Sequence, residues 1–319
     1  MFDFSSLFKI NKFKLMFFTI IGCYLLLVII IYIFQRSLQY FPYGSASTPK
    51  GFESIKITSE DNVELLVWQK IPKNYKKIIV YFHGNAGNIG DRSYRFESFV
   101  ENGYGVIALS YRGYFGSQGK PSETGFLSDA KALLKFIKSQ NYRKKDLILF
   151  GESIGTGVVV KISQNKIAFK TNRLISDDED LQKNNEQISD EISLTQKDRD
   201  DQNQRDIQKL SKNNSQEDDF SLIVLDSPYY SIQEIAQRNY PFLPVKFMLK
   251  DRFDSFVYAP YISSPVLIFH GDRDFIVPIT SGQKLFNVIT SKKKFIEMRG
   301  ASHVDTNPEF IIQQIEEFN

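Results

Sequence analysis

Gly151-Glu152-Ser153-Ile154-Gly155 lies between an apolar run, 147–150, and the branched stretch Val158-Val159-Val160. A serine on a sharp strand-to-helix turn needs glycine two residues to either side, because a Cβ there would crowd the strand and helix that the turn joins. The pentapeptide marks Ser153 as a candidate nucleophile for acyl transfer. A serine hydroxyl attacks poorly at neutral pH, so that chemistry also demands a base, normally an imidazole oriented by a carboxylate, and donors for an oxyanion. Alone the pattern is weak, since chance places it in roughly one chain in ten of this length. Its weight comes from what accompanies it.

The chain has three histidines. His83 and His270 each end an apolar run and open a Gly-rich turn, positions that suit a side chain holding the turn. His303, in Gly300-Ala301-Ser302-His303, follows the last apolar run in a short loop before the C-terminal helix. By elimination and position it is the best-placed base. Asp272, Asp274, Asp226 and Asp305 compete for the acid. Asp274 is preferred because it falls a few residues past a strand end, where a carboxylate can turn back toward a neighbouring loop; Asp226 is second. The commonest use of any such aspartate is a turn or helix cap. One oxyanion donor is expected from the backbone N–H of Ile154, the residue after the nucleophile. A second is expected from Asn85 in His83-Gly84-Asn85-Ala86-Gly87-Asn88, whose glycines let backbone amides approach a ligand.

Positioning these groups requires a scaffold. Short apolar runs recur at 52–57, 63–68, 78–82, 106–109, 147–150, 222–225, 266–269 and 295–298, bounded by turn residues, and read as eight strands. Helical spacing appears in Phe126, Ala130, Leu133, Leu134 and Ile137, then over 279–288, and finally in Phe310, Ile311, Ile315 and Phe318. Strands alternating with helices predict an α/β fold, a mostly parallel eight-stranded sheet with helices on both faces. Segment 171–219 interrupts the alternation. It contains no aromatic residue, fourteen acidic residues and seven basic ones, too little apolar surface to offset the entropy of ordering it. It is expected to be a disordered acidic insertion within a single domain, 52–319.

The net charge of +3 hides an uneven distribution, since the acidic 171–219 leaves the remainder basic, but no compact Lys/Arg cluster with interleaved aromatics appears, which argues against nucleic acid as a partner. Cys23 is the only cysteine, so neither a disulfide nor a Cys-based metal site is available, and no cofactor or metal ion is expected. Cys23 falls in 15–34, twenty residues without a charge, long enough at about 1.5 Å per residue to cross a hydrocarbon core of about 30 Å. That segment is expected to be a transmembrane helix between a tail, 1–14, and a linker, 35–51. A cleaved signal peptide is the rival, disfavoured because Gln35-Arg36 stands where a small-residue cleavage site belongs. Lys9, Lys12 and Lys14 before the span against Arg36 and Lys50 after it favour a lumenal or extracellular catalytic domain.

Together with Tyr111-Arg112-Gly113-Tyr114-Phe115-Gly116-Ser117, and with His270-Gly271-Asp272-Arg273-Asp274 followed by Val277-Pro278, these motifs resemble the α/β-hydrolase superfamily. Within it, the N-terminal span and the His-Gly-Asn-Ala-Gly-Asn loop are similar to the membrane-associated group containing alpha/beta hydrolase domain-containing proteins 13 and 17. The resemblance implies a Ser153, Asp274, His303 triad and hydrolysis of an ester, thioester or amide through an acyl-enzyme, on a lipid or a lipidated protein. Relatives that remove palmitate carry an N-terminal cysteine cluster, which this chain lacks. The alternatives are a catalytically silent scaffold that tethers a partner at the membrane, or a serine peptidase of the same fold. Between 225 and 266 there is room for only a small lid, built from segments such as Tyr240-Pro241-Phe242-Leu243-Pro244.

Overall fold

Along 78–82, Ile78, Val80 and Phe82 point to one side and Ile79 and Tyr81 to the other, and all five are buried. A strand that is apolar on both faces must lie inside a sheet covered on both sides. The computed structural model, which describes residues 12–164 and 219–318, has that architecture. Helix α1 (Lys12–Gln39) and a two-residue strand β1 (Phe41–Pro42) come first, then β2 (Glu53–Thr58), β3 (Glu64–Lys70), β4 (Ile78–Phe82) and a second two-residue strand, β5 (Ala86–Gly87). Next come α2 (Ser93–Glu101), β6 (Gly105–Leu109), α3 (Glu123–Ser139), β7 (Leu147–Glu152) and α4 (Ile154–Ser163). The C-terminal half holds β8 (Leu222–Asp226), the helices α5 (Ile232–Asn239), α6 (Val245–Met248) and α7 (Ser255–Tyr258), then β9 (Val266–Gly271), α8 (Ile279–Val288), β10 (Lys293–Met298) and α9 (Pro308–Phe318).

The main sheet has eight strands in the order β10-β9-β8-β7-β4-β6-β3-β2. Only β3 runs against its neighbours. Each apolar run expected to be a strand is one. On one face, Val80 and Leu149 pack with Phe126, Ala130 and Leu133 of α3 and Val158 of α4. On the other, Tyr81 and Phe150 pack with Phe96 and Phe99 of α2 and Ile311 and Ile315 of α9. Helix α3 starts where Ser122 caps it, its hydroxyl accepting the Gly125 amide at 3.0 Å. The fold is that of the α/β hydrolases.

Three features differ from the expectations or add to them. Helix α1 does not stop at 34: its last five residues belong to the segment expected to be a linker, and Tyr40 beyond them is buried against Phe126. The chain then pairs β1 with β5 in parallel, Phe41 opposite Ala86 and Pro42 opposite Gly87. The segment is fixed because its polar groups find partners on the domain, which its Ser/Pro/Gly composition does not reveal. Helix α2 carries only a short apolar stripe and gave no sequence signal. Most of the 1–14 tail, and all of the 171–219 insertion except Asp219, lie outside the described residues. Among the described residues, α1 is the helix long and apolar enough to cross a membrane, and no part of its most apolar stretch is buried.

Candidate active site

The parallel strands β4, β7, β9 and β10 all end on the same edge of the sheet, the edge where open α/β sheets build their sites. Ser153 sits between β7 and α4 with φ 50° and ψ −115°, a left-handed conformation that costs energy for a residue with a Cβ. The flanking glycines make the turn possible. A Cβ on Gly151 would lie 2.7 Å from the Thr156 Cα, and one on Gly155 would collide with the Phe82 carbonyl of β4. The Ser153 amide donates to the Asp226 carbonyl at 2.9 Å, pinning the turn to β8.

Asp274, in the turn after β9, and His303, in the loop after β10, meet that serine. His303 Nε2 is 2.9 Å from Ser153 Oγ, and His303 Nδ1 is 2.7 Å from Asp274 Oδ2. A carboxylate only accepts, so Nδ1 carries the proton and leaves Nε2 free to accept the serine hydroxyl. Asp274 Oδ1 accepts the Ile276 and Val277 amides at 2.9 and 2.8 Å, which fixes its rotation. Burial opposes charge on this carboxylate, but the bond from His303 and the backbone amide of Val277 outweigh it and hold Asp274 below the usual carboxylate range.

The rival acids lie elsewhere. Asp272 is exposed and accepts the Gly300 amide at 2.6 Å, Asp305 caps the Ser302 turn, and Asp226 is buried in an ion pair. The other two histidines are spent on local bonds. The His83 ring is bonded to the Gly84 carbonyl at 2.7 Å, and burial, helped by Arg92, pushes it down to about 3, so it stays neutral. His270 holds the Val277 carbonyl at 2.8 Å.

Asn85 follows β4, and its side chain is committed. Its Nδ2 donates to the Gln39 carbonyl at 2.6 Å, while Tyr114 donates to the Asn85 carbonyl at 2.8 Å. Its backbone amide and that of Ile154, the first residue of α4, have no protein acceptor among the described residues. Both residues line the same cavity as Ser153 and His303. Two unspent amides, one at the positive end of a helix, are what an anionic oxygen seeks.

What holds these loops had no signal in the sequence. Arg92 Nη2 meets Glu152 Oε1 at 2.5 Å and its Nη1 donates to the carbonyls of Ala86 and Asn88, so it clamps the Asn85 loop onto the residue before Ser153. Tyr81 donates to the other Glu152 oxygen. Burial would raise the Glu152 carboxyl, but Arg92 outweighs it and holds the group down at about 2. Arg95, almost wholly buried, pairs with Asp226 at 2.7 Å and donates to the Val304 and Thr306 carbonyls at 3.0 and 3.2 Å, gripping the chain next to His303. Thr306 closes the circuit with a bond to Asp226 at 3.0 Å. Two cations and two carboxylates thus balance beneath the site. A charged residue in a polar sequence looks like solvated surface, so no local signal marks these four as buried.

The cavity above Ser153 measures about 1130 Å³. Its polar floor is the set of loops just described; its walls are Leu27, Ile31 and Leu38 of α1 and, opposite, Phe242, Leu243, Met248 and Leu249.

Residues 73–176 match the family described as Hydrolase_4: Serine aminopeptidase, S33. The chain is 26% identical over 283 residues to the uncharacterized protein Rv2307c of Mycobacterium tuberculosis, covering 85% of this chain and 81% of that one. It is 26% identical over 268 residues to the lysophosphatidylserine lipase ABHD12 of Danio rerio, covering 73% of this chain and 58% of the relative. Among solved structures, the esterase Pf2001 of Pyrococcus furiosus superposes with a TM-score of 0.57 at 20% identity, over 87% of this chain and 96% of that one, a likeness of fold. The chain has the α/β-hydrolase fold and is similar to these proteins.

Proposed function

We propose that the chain is a membrane-anchored serine hydrolase that cleaves an acyl ester or thioester, with a bilayer lipid or a lipidated protein as substrate. The hydrogen-bonded line from Ser153 through His303 to Asp274 carries this proposal. His303 Nε2 takes the hydroxyl proton as Ser153 Oγ bonds to the acyl carbon, and the Asn85 and Ile154 amides hold the oxygen that becomes negative. The tetrahedral centre collapses, the bond to the leaving oxygen or sulfur breaks, and His303 returns its proton to that atom. Water then attacks the acyl-enzyme, giving up a proton to His303, and the acid departs as Ser153 recovers its hydrogen. Asp274 stays ionised throughout and orients the imidazole.

The apolar walls of the cavity favour an acyl group over a peptide, which needs polar partners for its backbone. A relative named as a lysophosphatidylserine lipase points the same way. Helix α1 serves as the retained anchor: Gln35, Arg36 and Gln39 are all bonded to the domain, contacts that a cleaved leader would forfeit. The catalytic domain is assigned to the lumenal or extracellular side, on the excess of lysines ahead of the span; protease protection of sealed membranes reads this out directly.

A serine-directed fluorophosphonate applied to membranes containing the full chain tests the enzyme proposal. Wild type should label; Ser153→Ala should abolish the signal and His303→Ala nearly so, since the members of such a triad act as a unit worth on the order of a million-fold. A wild-type chain that folds and does not label is a scaffold, and the proposal falls.

A further inference from the structure

Residues 24, 27, 28, 31, 35, 38 and 39 lie on one stripe of α1 at helical spacing. That stripe faces the catalytic domain. Tyr24 donates to the Phe242 carbonyl at 2.8 Å, Gln35 bonds to Met248 and Lys250, and Arg36 pairs with Asp251 at 2.7 Å. Between these bonds, Leu27, Ile31 and Leu38 form a wall of the cavity that holds Ser153 and His303. The rest of α1 faces away from the protein, and no residue of its most apolar stretch is fully buried.

Arg36 marks where the apolar run ends. Tyr24 is twelve residues earlier, about 18 Å deeper along the helix at about 1.5 Å per residue, and Leu27 is about 14 Å deeper. If α1 spans a hydrocarbon core of about 30 Å, the segment that touches Tyr24 is immersed in that core. Its aromatic side chains suit the depth, and the exposed Lys246 has a stem long enough to carry its charge toward the surface. Phe247 is 86% exposed and Phe242 60%, on a segment that pairs part of its own polar backbone through the bonds Leu243 N to Tyr240 O, Phe247 N to Pro244 O and Leu249 N to Val245 O. Exposed aromatic rings in water would be a liability; against acyl chains they are an anchor.

We propose that the active-site cavity opens sideways into the bilayer between α1 and the 240–249 segment, and that the substrate's long acyl chain enters there and lies along Leu27, Ile31 and Leu38. The occupant is a long-chain acyl lipid already resident in the membrane. The span is then a working wall of the acyl site as well as a tether. This rests on the serine-hydrolase proposal for the chemistry at the end of the groove, while the geometry of the groove is tested separately from it.

Two measurements on the full chain in phosphatidylcholine vesicles decide the matter. In the first, Ile31→Trp and Leu27→Trp fill the groove, and Ile30→Trp adds the same bulk on the outward face. Hydrolysis of 4-methylumbelliferyl palmitate should fall at least tenfold in the two groove variants, with 4-methylumbelliferyl butyrate turnover and fluorophosphonate labelling within twofold of wild type; Ile30→Trp should change neither. An equal fall for both esters, or palmitate turnover untouched by both groove variants, overturns the proposal. In the second, Phe247→Trp carries a fluorophore that chain-brominated lipid should quench and aqueous iodide should not, against the buried Trp68 as an internal reference. Quenching by iodide alone places the segment in water and overturns the lateral entrance, whatever the enzyme assays give. Wild type that hydrolyses neither ester defeats the serine-hydrolase proposal, and the fluorescence result still stands.

Discussion

The two sides of the Ser153 site are held by different forces. Beneath it, the buried Arg95, Glu152 and Asp226 and the largely buried Arg92 tie the Asn85 loop to Glu152 and the His303 loop to Asp226, through bonds of 2.5 to 3.2 Å. Beside it, apolar side chains of α1 and of the 240–249 segment line the cavity, and Tyr24, Gln35, Arg36 and Gln39 are the polar fastenings of the helix to the domain. The chemistry needs atoms placed to tenths of an ångström, and buried charges, which cannot shift without losing their partners, supply that rigidity. An acyl chain needs only a shaped apolar surface, and dispersion contacts suffice. The floor is therefore expected to respond to charge and pH, and the wall to bulk and lipid.

The largest effect should come from Asp274→Asn, which keeps the shape and removes the charge that fixes the imidazole tautomer. Turnover should fall by about 10⁴, with the fold unchanged by circular dichroism. Retention of more than a tenth of wild-type turnover would move the acid elsewhere, Asp226 being the next to test. Arg95→Met comes second. It leaves Asp226 buried without its cation, and urea unfolding should show a loss of about 3–5 kcal/mol. Were the loss the same size on cutting the wall's fastening, the contrast between the two sides would vanish.

That fastening is tested by Asp251→Asn. The Arg36 side chain is half exposed, so screening limits the ion pair to about 1 kcal/mol, and the variant should lose at most about fivefold in long-chain turnover with short-chain turnover kept. The smallest effect is one of pH. Glu152 is held at about 2 in the fold against an ordinary 4.5, so the folded state binds fewer protons than the unfolded chain between those values. Its stabilisation is complete above pH 4.5 and is lost as pH falls toward 2. The melting-temperature gap between wild type and Glu152→Gln should thus hold steady from pH 7 to 5 and narrow from pH 4.5 to 3. A gap that widens on acidification would show that Glu152 is not held as a carboxylate.

Much of the frame was legible. The runs that became β4, β6, β7, β8 and β9 were legible because two-sided burial in a parallel sheet demands continuous apolar sequence, and that demand is local. The same holds for α3, whose stripe of Phe126, Ala130, Leu133 and Ile137 is buried as its spacing required. Helix α1 was legible as a helix long and apolar enough to cross a membrane but not as a wall of the cavity: its inward stripe, Tyr24 to Gln39, is no more apolar than its outward face, and its partners lie more than two hundred residues away. The strand pair Phe41–Pro42 and Ala86–Gly87 is too short for any periodicity.

The sequence by itself determined the turn at Ser153, because glycines at 151 and 155 are a steric condition on the nearest neighbours in the chain. It also narrowed the candidate base to His303 by the scarcity of histidine. The choice among Asp226, Asp272, Asp274 and Asp305 belonged to the tertiary structure, since all four follow strands or turns and only the packing of β8, β9 and β10 determines which carboxylate faces the imidazole. The burial of Arg92, Arg95 and Glu152 and the wall formed by α1 were likewise decided there. A charge becomes a structural element, and an anchor part of a pocket, only when residues remote in sequence are brought into contact.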